Sequence, residues 1–393
     1  MTDNGRTRMY AGLALAVGLA VAGVVAEVAA RLWFDNDVLL YRVESPWYHH
    51  TLRPWASGTE IPDGRRTHYR IDEHGMRIAL TDDRRRPAGG GLLVLGDSWA
   101  EGAAVEYEQS FTYLIGRELG MTTFNESVAS YSPILHYLWL KRHIDEFTPA
   151  LALLFLDIAD VQDDLLYEAL AVRDESGDVV SVQPLPVCWD RGTCAALEAD
   201  ARSWWLSSPL RAWIRRSCRA CVAVSSALNS IGPPPARVVT TAEDECNLRF
   251  DRLAPARDAC PASDWDHTLA WIGRIHDLFR ERGIPLVLVT WPWPPQVAGD
   301  EFDLGRAAYL FKPGAVYRGD RFDARVAAFT AGRGLPHVSL YQPLREAKAA
   351  RPDVRLYFRD DFHFTPDAHV VVTRAVVEWL RASGIGSGIL GEP

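Results

Sequence analysis

Two short motifs, far apart in the chain, contain residue types that together can carry out nucleophilic catalysis. The first is Gly-Asp-Ser at 96–98, directly after the apolar run Leu92–Leu95. The second lies near the C-terminus, where Asp360 and His363 are three residues apart. A serine becomes a nucleophile when a histidine takes its proton, and a carboxylate orients that histidine and stabilises its charged form. The motifs therefore predict Ser98 as nucleophile, His363 as base and Asp360 as the orienting carboxylate.

The residues of each motif also allow other interpretations. Asp97 or Ser98 could simply be the N-cap of a helix, because both residue types are favoured there. Asp361 competes with Asp360, since Asp361-x-His363 is also a plausible arrangement. An Asp-x-x-His pair alone could be an acidic surface loop. The occurrence of both motifs in this order, each at a strand-to-helix junction, favours catalysis.

The elements that would position these motifs alternate between strands and helices. Uninterrupted apolar runs typical of buried parallel strands are found at 92–95, 151–156 and 284–291, with weaker strand patterns at 121–128 and 336–340. Helical patterns are found at 110–119, 134–147, 267–282 and 366–382. This alternation predicts an α/β fold, a three-layer α/β/α sandwich with a mostly parallel sheet. Ser98 would then lie at the carboxyl edge of the sheet, where such folds bind ligands.

These motifs resemble those of the SGNH hydrolases, also called the GDSL esterase family. The resemblance covers roughly residues 69–380, outside a cysteine-rich segment. It implies ester hydrolysis or acyl transfer through an acyl-enzyme at Ser98, with Asp360 and His363 completing a triad. The resemblance implies no cofactor.

The family binds the oxyanion with the nucleophile's N–H, a glycine N–H and an asparagine side chain. Carried over, the first two donors are Ser98 and Ser130, which stands where glycine is usual. The asparagine position falls on Ala159, or on Asp160 with a one-residue shift. Alanine has no donor, and an ionised aspartate would repel an oxyanion. Either Gln162 or the Ser130 hydroxyl substitutes, or the reaction is slow, or catalysis has been lost.

Four acidic residues follow the second strong strand pattern: Asp157, Asp160, Asp163 and Asp164. Carboxylates clustered at a strand end can bind Mg²⁺ or Ca²⁺. Acidic residues in the first turn of a helix also stabilise the helix dipole. The second interpretation is preferred, so no metal site is predicted.

The N-terminal 35 residues form a separate segment. Residues 10–26 contain no charged side chain, and apolar character continues to Phe34, which is enough to cross roughly 30 Å of hydrocarbon. Arg6 and Arg8 precede this run and predict a cytoplasmic N-terminus. We expect an uncleaved single-pass anchor in the cytoplasmic membrane, with the rest of the chain in the periplasm or outside the cell. A cleaved signal peptide is the alternative.

All six cysteines lie between residues 188 and 260, and an even, clustered set in an oxidising compartment predicts disulfides. Sequential pairing closes the shortest loops: Cys188–Cys194, Cys218–Cys221 and Cys246–Cys260. A zinc site and a redox dithiol are the alternatives. The predicted organisation is an anchor at 1–35, an extended segment at 36–90, an α/β domain at 91–166 and 263–385, and a cysteine- and Trp-rich insertion at 167–262.

The net charge and a resemblance to exported members of this family indicate which substrates and partners to expect. The chain has 51 acidic against 42 basic side chains and a net charge of -9, which argues against nucleic-acid binding. The anchor, the approach 69–77 and the strand end 290–294 are similar to exported members of the family that remove or transfer O-acetyl groups on envelope polysaccharides. An acylated carbohydrate is the implied substrate, and transfer would require a separate membrane acyltransferase. A non-catalytic glycan-binding or scaffold subunit and a lipid esterase are the other hypotheses.

Tryptophan is abundant, at 14 residues, and its rings either fill a core or stack on sugars. Five are candidates for a stacking surface: Trp204, Trp205, Trp213, Trp291 and Trp293. For each one taken singly, a place in the core is the preferred interpretation.

Overall fold

A computed structural model describes residues 3–33, 42–60, 65–83, 90–183, 220, 262–309 and 311–385. Several predicted features lie outside these residues: Cys188, Cys194, Cys218, Cys221, Cys246, Cys260, Trp204, Trp205 and Trp213. The disulfides, the sugar-stacking role of those three tryptophans and the domain boundaries stay predictions.

The helices are α1 (Asp3–Trp33), α2 (Ser98–Glu101), α3 (Phe111–Leu119), α4 (Pro133–Phe147), α5 (Ala159–Ala169), α6 (Ala262–Glu281), α7 (Pro294–Val297), α8 (Arg321–Arg333), α9 (Tyr341–Ala350) and α10 (Pro366–Ser383). The strands are β1 (Arg42–Glu44), β2 (His50–Leu52), β3 (Ser57–Glu60), β4 (Thr67–Arg70), β5 (Leu92–Leu95), β6 (Thr123–Asn125), β7 (Leu151–Leu156), β8 (Ala171–Arg173), β9 (Val179–Val182), β10 (Leu286–Thr290) and β11 (His337–Ser339). Short 3₁₀ turns occur at Tyr107–Gln109 and Arg306–Tyr309.

The core of the fold is a five-stranded parallel sheet in the order β11-β10-β7-β5-β6. The side chains of β5 alternate between its two faces, as the period of a strand requires. Leu93 and Leu95 pack in a cluster with α4, α6 and α8, whereas Leu92 and Val94 pack with α3, α9 and α10. All four are fully buried. The predicted α/β fold with a parallel sheet covered on both faces is confirmed.

Helix α1 contains the apolar stretch Tyr10–Ala30, none of which is buried against the rest of the protein. Among the described residues it is the helix with the length and composition to cross a membrane. A signal sequence meets the same criteria, so the uncleaved anchor and its orientation stay predictions.

The segment that follows, expected to be extended, forms two antiparallel strand pairs, β1–β2 and β3–β4. Arg77 ties the end of this segment to α2 and the turn that follows it. This fully buried guanidinium donates to the carbonyls of Val105, at 2.9 Å, and of Glu101, at 3.1 Å. Its carbon lies 3.7 Å from the centre of the Tyr69 ring. The approach segment is therefore packed against the turn that follows α2.

A buried carboxyl joins α5 to the start of α4. Asp164 Oδ1 accepts the N–H of Ile134 at 3.0 Å, and burial raises the pKa of Asp164 to about 7. In the unfolded chain the carboxyl titrates near ~4. The folded state keeps this proton where the unfolded state has lost it, so the group's contribution to the free energy of unfolding falls as pH rises from about 4 to about 7.

We expect Asp164→Asn to reduce the decrease in the free energy of unfolding between pH 5 and pH 8, measured by urea unfolding. Identical pH slopes for variant and wild type would contradict this.

Candidate active site

The turn after β5 presents Ser98 as the first residue of α2. Asp97 is the N-cap, and its carboxylate accepts the N–H of Trp99 at 3.0 Å. The capping function therefore belongs to Asp97, which leaves the Ser98 hydroxyl for another contact. Ser98 Oγ lies 2.7 Å from His363 Nε2, although the two residues are 265 positions apart in the chain.

The turn depends on a residue without a side chain. A Cβ on Gly96 would lie 2.7 Å from the Cβ of Ala100 and 3.2 Å from the Cβ of Phe155. We expect Gly96→Ala to lower the free energy of unfolding by about 1–3 kcal/mol through overpacking, measured by thermal unfolding. Gly332→Ala in α8 is the matched control, because nothing lies within 4 Å of that Cβ. Equal melting temperatures for the two variants would contradict the tight packing at Gly96.

The carboxylate beside His363 is Asp361. His363 Nδ1 lies 2.6 Å from Asp361 Oδ1, and the same oxygen accepts the backbone N–H of His363 at 3.0 Å. This turn, in which an aspartate accepts the N–H two residues later, brings the carboxylate to the imidazole of its own loop. Asp360, the carboxylate preferred from the sequence, instead has a 43% exposed side chain and lies 3.8 Å from Arg65 Nη1. The preference for Asp360 is corrected in favour of Asp361.

Charge around Asp361 keeps its carboxylate ionised. Burial alone would raise the pKa of Asp361, but the adjacent His363 and then the Arg65 guanidinium hold it below its usual value. Arg65 Nη2 lies 3.6 Å from Asp361 Oδ2, and the guanidinium carbon lies 3.5 Å from the centre of the Phe358 ring. Sequence analysis missed Arg65, because no local pattern connects it to a motif almost 300 residues away.

Aromatic rings fix the orientation of the imidazole. The ring centre of His363 lies 4.5 Å from that of Phe362 and 5.3 Å from that of Trp99. Phe362 in turn stacks on Trp293 at 5.2 Å, with 15° between the ring planes. Trp291 and Trp293 are each 1% exposed. A sugar-stacking role for these two is therefore wrong, and they belong to the core that supports the site.

The backbone that leads into His363 is fixed by hydrogen bonds to the buried carboxylate of Glu301. Glu301, which is fully buried, accepts the N–H groups of Leu356 and Tyr357 at 3.1 and 3.0 Å. Lys348 Nζ lies 3.1 Å from the same carboxylate and balances its charge. Tyr357 also donates its hydroxyl to the carbonyl of Pro292 at 2.7 Å, next to the end of β10. These bonds fix the backbone that leads into Asp361 and His363.

The loop after β6 runs beside the end of β5. The N–H of Glu126 donates to Val94, and that of Val128 donates to Gly96 at 3.2 Å. Ser130 follows with a φ of 66°, a conformation that glycine adopts without strain. Glycine, the residue expected here from the family that the motifs resemble, would adopt this φ without strain. The contribution of the Ser130 N–H to an oxyanion hole stays a prediction.

The end of β7 leads to the other oxyanion candidates. Ala159 is buried and has no side-chain donor, whereas the carboxyl of Asp160 accepts the N–H of Asp157 at 2.7 Å. Burial, with the charges of Asp157 and Asp97, raises the pKa of Asp160 well above its usual value. This shift favours the neutral form of the carboxyl, which would repel an oxyanion less than the ionised form. Asp160 and Gln162, which is buried on α5, stay predictions as donors.

The acidic run does not form a cluster around one point. Asp157 accepts the N–H of Ala159 at 2.6 Å and the indole N–H of Trp293 at 2.9 Å, and Asp164 faces α4. In the part of the chain that the structure describes, no three His, Cys, Asp or Glu side chains are grouped to hold a metal ion.

No protein-family model and no curated protein matches the sequence. Solved structures do match, and three of them serve as examples. A GDSL-like lipase from Bacteroides thetaiotaomicron aligns over 74% of this chain and 88% of its own, at 12% identity and a TM-score of 0.35. A structure of TesA aligns over 74% and 98%, at 12% identity and a TM-score of 0.37. A catalytic mutant of Axe2, an acetylxylan esterase from Geobacillus stearothermophilus, aligns over 76% and 97%, at 13% identity and a TM-score of 0.33.

The name of the first of these structures, a GDSL-like lipase, contains the name of the family that the two motifs resemble. The likeness is remote, with TM-scores below 0.5. The chemistry of this chain therefore rests on the contacts of its own residues.

Proposed function

We propose that this protein is a serine-dependent esterase or acyltransferase of the SGNH type. The observation that carries the proposal is the continuous chain of contacts from Ser98 through His363 to Asp361, with distances of 2.7 and 2.6 Å. A nucleophile, a base within hydrogen-bond distance and a carboxylate on the far nitrogen of that base make up a complete serine triad. A purely structural role gives no reason for this order of groups.

The proposed reaction begins with attack of Ser98 Oγ on the carbonyl carbon of an ester. His363 Nε2 takes the hydroxyl proton, while its Nδ1–H donates to Asp361, whose negative charge stabilises the imidazolium. The tetrahedral intermediate collapses, the C–O bond to the alcohol breaks, and His363 returns the proton to the departing oxygen. An acyl acceptor, either water or a hydroxyl, then attacks the acyl-enzyme. His363 takes the proton of the acceptor and returns a proton to Ser98 Oγ as the acyl bond to serine breaks. Hydrolysis and transfer differ only in this acceptor.

The oxyanion is proposed to bind to the backbone N–H groups of Ser98 and Ser130. Both residues follow the carboxyl ends of neighbouring strands, β5 and β6, which pair in register at Val94 and Asn125. Ala159 offers no third donor, and loss of one such donor typically costs about 10²–10³ in rate. We therefore expect slower catalysis than in a family member with the full set of donors.

The proposed substrate is an O-acylated glycan of the cell envelope. Support comes from the apolar helix α1 and from the sequence resemblance of the approach at 69–77 to exported family members. If the acyl group is transferred rather than hydrolysed, a separate membrane acyltransferase supplies it. That partner is part of the proposal only for transfer.

The test is acetate release by the full-length protein in detergent from acetylated xylan, acetylated mannan and p-nitrophenyl acetate. Acetate release that depends on Ser98 supports the esterase. Transfer of acetyl from p-nitrophenyl acetate to a sugar acceptor, without any partner, would contradict the requirement for a membrane acyltransferase.

A second candidate, a non-catalytic glycan-binding or scaffold subunit, is favoured by the absence of a donor side chain at Ala159. In that case the folded protein would bind acetylated glycan but release no acetate from any of the three substrates. Binding measured by calorimetry beside the acetate assay distinguishes the two functions.

A further inference from the structure

The segment between α1 and the sheet contacts the loop that carries Ser130. His50, on β2, places Nε2 2.7 Å from the carbonyl oxygen of Ala129. Tyr131, on the other side of Ser130, donates its hydroxyl to the carbonyl of His50 at 2.6 Å. The imidazole of His50 also packs edge-on against the Tyr131 ring at 5.1 Å. Strand β2 and the Ser130 loop therefore hold each other by two hydrogen bonds and a ring contact.

The bond from His50 acts on the peptide unit that contains the N–H of Ser130. The carbonyl of Ala129 and the N–H of Ser130 belong to the same planar group, which is trans in this structure. In a trans peptide the C=O and N–H bonds point in opposite directions. A hydrogen bond that fixes the carbonyl of Ala129 therefore also fixes the direction of the Ser130 N–H, away from His50.

The protonation state of His50 is consistent with hydrogen-bond donation from its Nε2. Burial, with the neighbouring His49, lowers the pKa of His50 to about 3, so the ring is neutral. Its Nδ1 lies 2.9 Å from Nδ1 of His49. With His49 donating to that nitrogen, the proton of His50 resides on Nε2, which faces Ala129.

Two further side chains hold the backbone on either side. Tyr167, on α5, donates its hydroxyl to the carbonyl of Ser130 at 2.8 Å. Glu101, the last residue of α2, accepts the N–H of Ala129 at 2.6 Å and pairs with Arg42 of β1 at 2.8 Å. Glu101 is fully buried, so its charge requires that partner. The helix that presents Ser98 and the loop that presents Ser130 are thus joined through Glu101.

From these contacts we infer that His50 and Tyr167 are positioning residues for catalysis, which hold the backbone around Ser130 so that its N–H faces the oxyanion formed at Ser98. This inference rests on the proposed function. It extends the catalytic machinery to β2, in the segment that directly follows the apolar helix α1. Neither residue touches the substrate, and both act through the backbone of one loop.

The experiment measures kcat and KM of the full-length protein for p-nitrophenyl acetate. His50→Phe keeps an aromatic ring against Tyr131 but removes the donor to Ala129, and we expect kcat to fall about 10- to 100-fold because one oxyanion donor is misaligned. KM is expected to stay within about 3-fold, since substrate binding before reaction does not use this N–H. His50→Gln, which retains an N–H donor, should recover part of kcat. Tyr167→Phe, the milder change, should lower kcat by about 3- to 10-fold.

His276→Leu, in the outer helix α6, is the matched histidine control and should leave both constants unchanged. If His50→Phe does not fold, Tyr167→Phe and His50→Gln decide the matter by the same split between kcat and KM. Unchanged kcat in folded His50→Phe or Tyr167→Phe would overturn the inference, as would a parallel loss in His50→Gln accompanied by an equal rise in KM. A wild-type protein that neither hydrolyses the ester nor reacts with a fluorophosphonate at Ser98 would instead refute the proposed function, and this inference with it.

Discussion

Ser98→Ala is expected to lower kcat for ester hydrolysis by about 10⁴-fold or more, since removal of a triad nucleophile abolishes the acyl-enzyme route. The residual rate would reflect only substrate binding and the oxyanion donors. The fold should not change, because the capping bond of α2 comes from Asp97 and not from Ser98. The measurement is initial-rate kinetics on p-nitrophenyl acetate with purified full-length protein.

A serine away from the site provides the control for this variant. Ser383, at the end of α10, donates to the carbonyl of Leu380 and accepts the N–H of Ile385, both far from Ser98 in the chain, so Ser383→Ala should retain full activity. More than about one tenth of wild-type activity in Ser98→Ala would contradict a nucleophilic role, given the magnitude of loss expected for a triad serine.

The second large effect is expected at the carboxylate. Asp361→Asn should lower kcat by about 10³–10⁴-fold, because an amide does not stabilise the imidazolium and favours the wrong tautomer of His363. The two contacts from His363, through Nδ1 and through its backbone N–H, meet the same oxygen of Asp361. Asp360→Asn is the matched control, since its side chain is 43% exposed and faces Arg65. The measurement is kcat for the two variants beside wild type, with circular dichroism to verify folding.

The two neighbouring aspartates thus give opposite expectations for the same chemical change. Activity of Asp360→Asn within about 3-fold of wild type agrees with a surface ion pair, which contributes little. A large loss in Asp360→Asn together with near-normal activity in Asp361→Asn would reverse the assignment and contradict the geometry of the loop.

The sheet could be predicted because its strands are buried on both faces. The runs at Leu92–Leu95 and Leu151–Leu156 contain no polar residue, and the structure has strands with the same bounds. Helix α4 was expected from Ile134 and begins one residue earlier, at Pro133. Hydrophobic periodicity carries this information locally. The strands β1 to β4 had no such signal, because they are short and only partly buried.

The site could be predicted in outline from residue types but not in its contacts. Ser98 and His363 were identifiable because each lies in a recognisable motif. Ser98 follows strand β5 as expected, whereas His363 lies in the loop between helices α9 and α10, so the strand-to-helix junction expected there was wrong. Spacing alone could not choose between Asp360 and Asp361, since the choice depends on which way a tight turn directs each side chain. Here the carboxylate of Asp361 accepts the backbone N–H of His363, and this local bond decides the partner of the imidazole.

The supporting residues could not be found from sequence patterns because they act across long distances in the chain. Arg65 precedes Asp361 by almost 300 residues, and His50 precedes Ala129 by 79. Their contacts arise only when the segment between α1 and β5 packs against the loops that carry Asp361 and Ala129. The tryptophans Trp291 and Trp293 show the opposite problem, since an aromatic residue near a site looks the same in sequence whether it binds a ligand or fills the core.

The most direct test of the central claim is reaction of the full-length protein with a fluorophosphonate, followed by mass spectrometry of its peptides. A serine activated by a histidine is phosphonylated, whereas an ordinary serine is inert. We expect a single adduct on Ser98 that is lost in His363→Ala. Absence of an adduct on the folded wild-type protein, or an adduct on Ser98 that persists in His363→Ala, would contradict an activated triad serine.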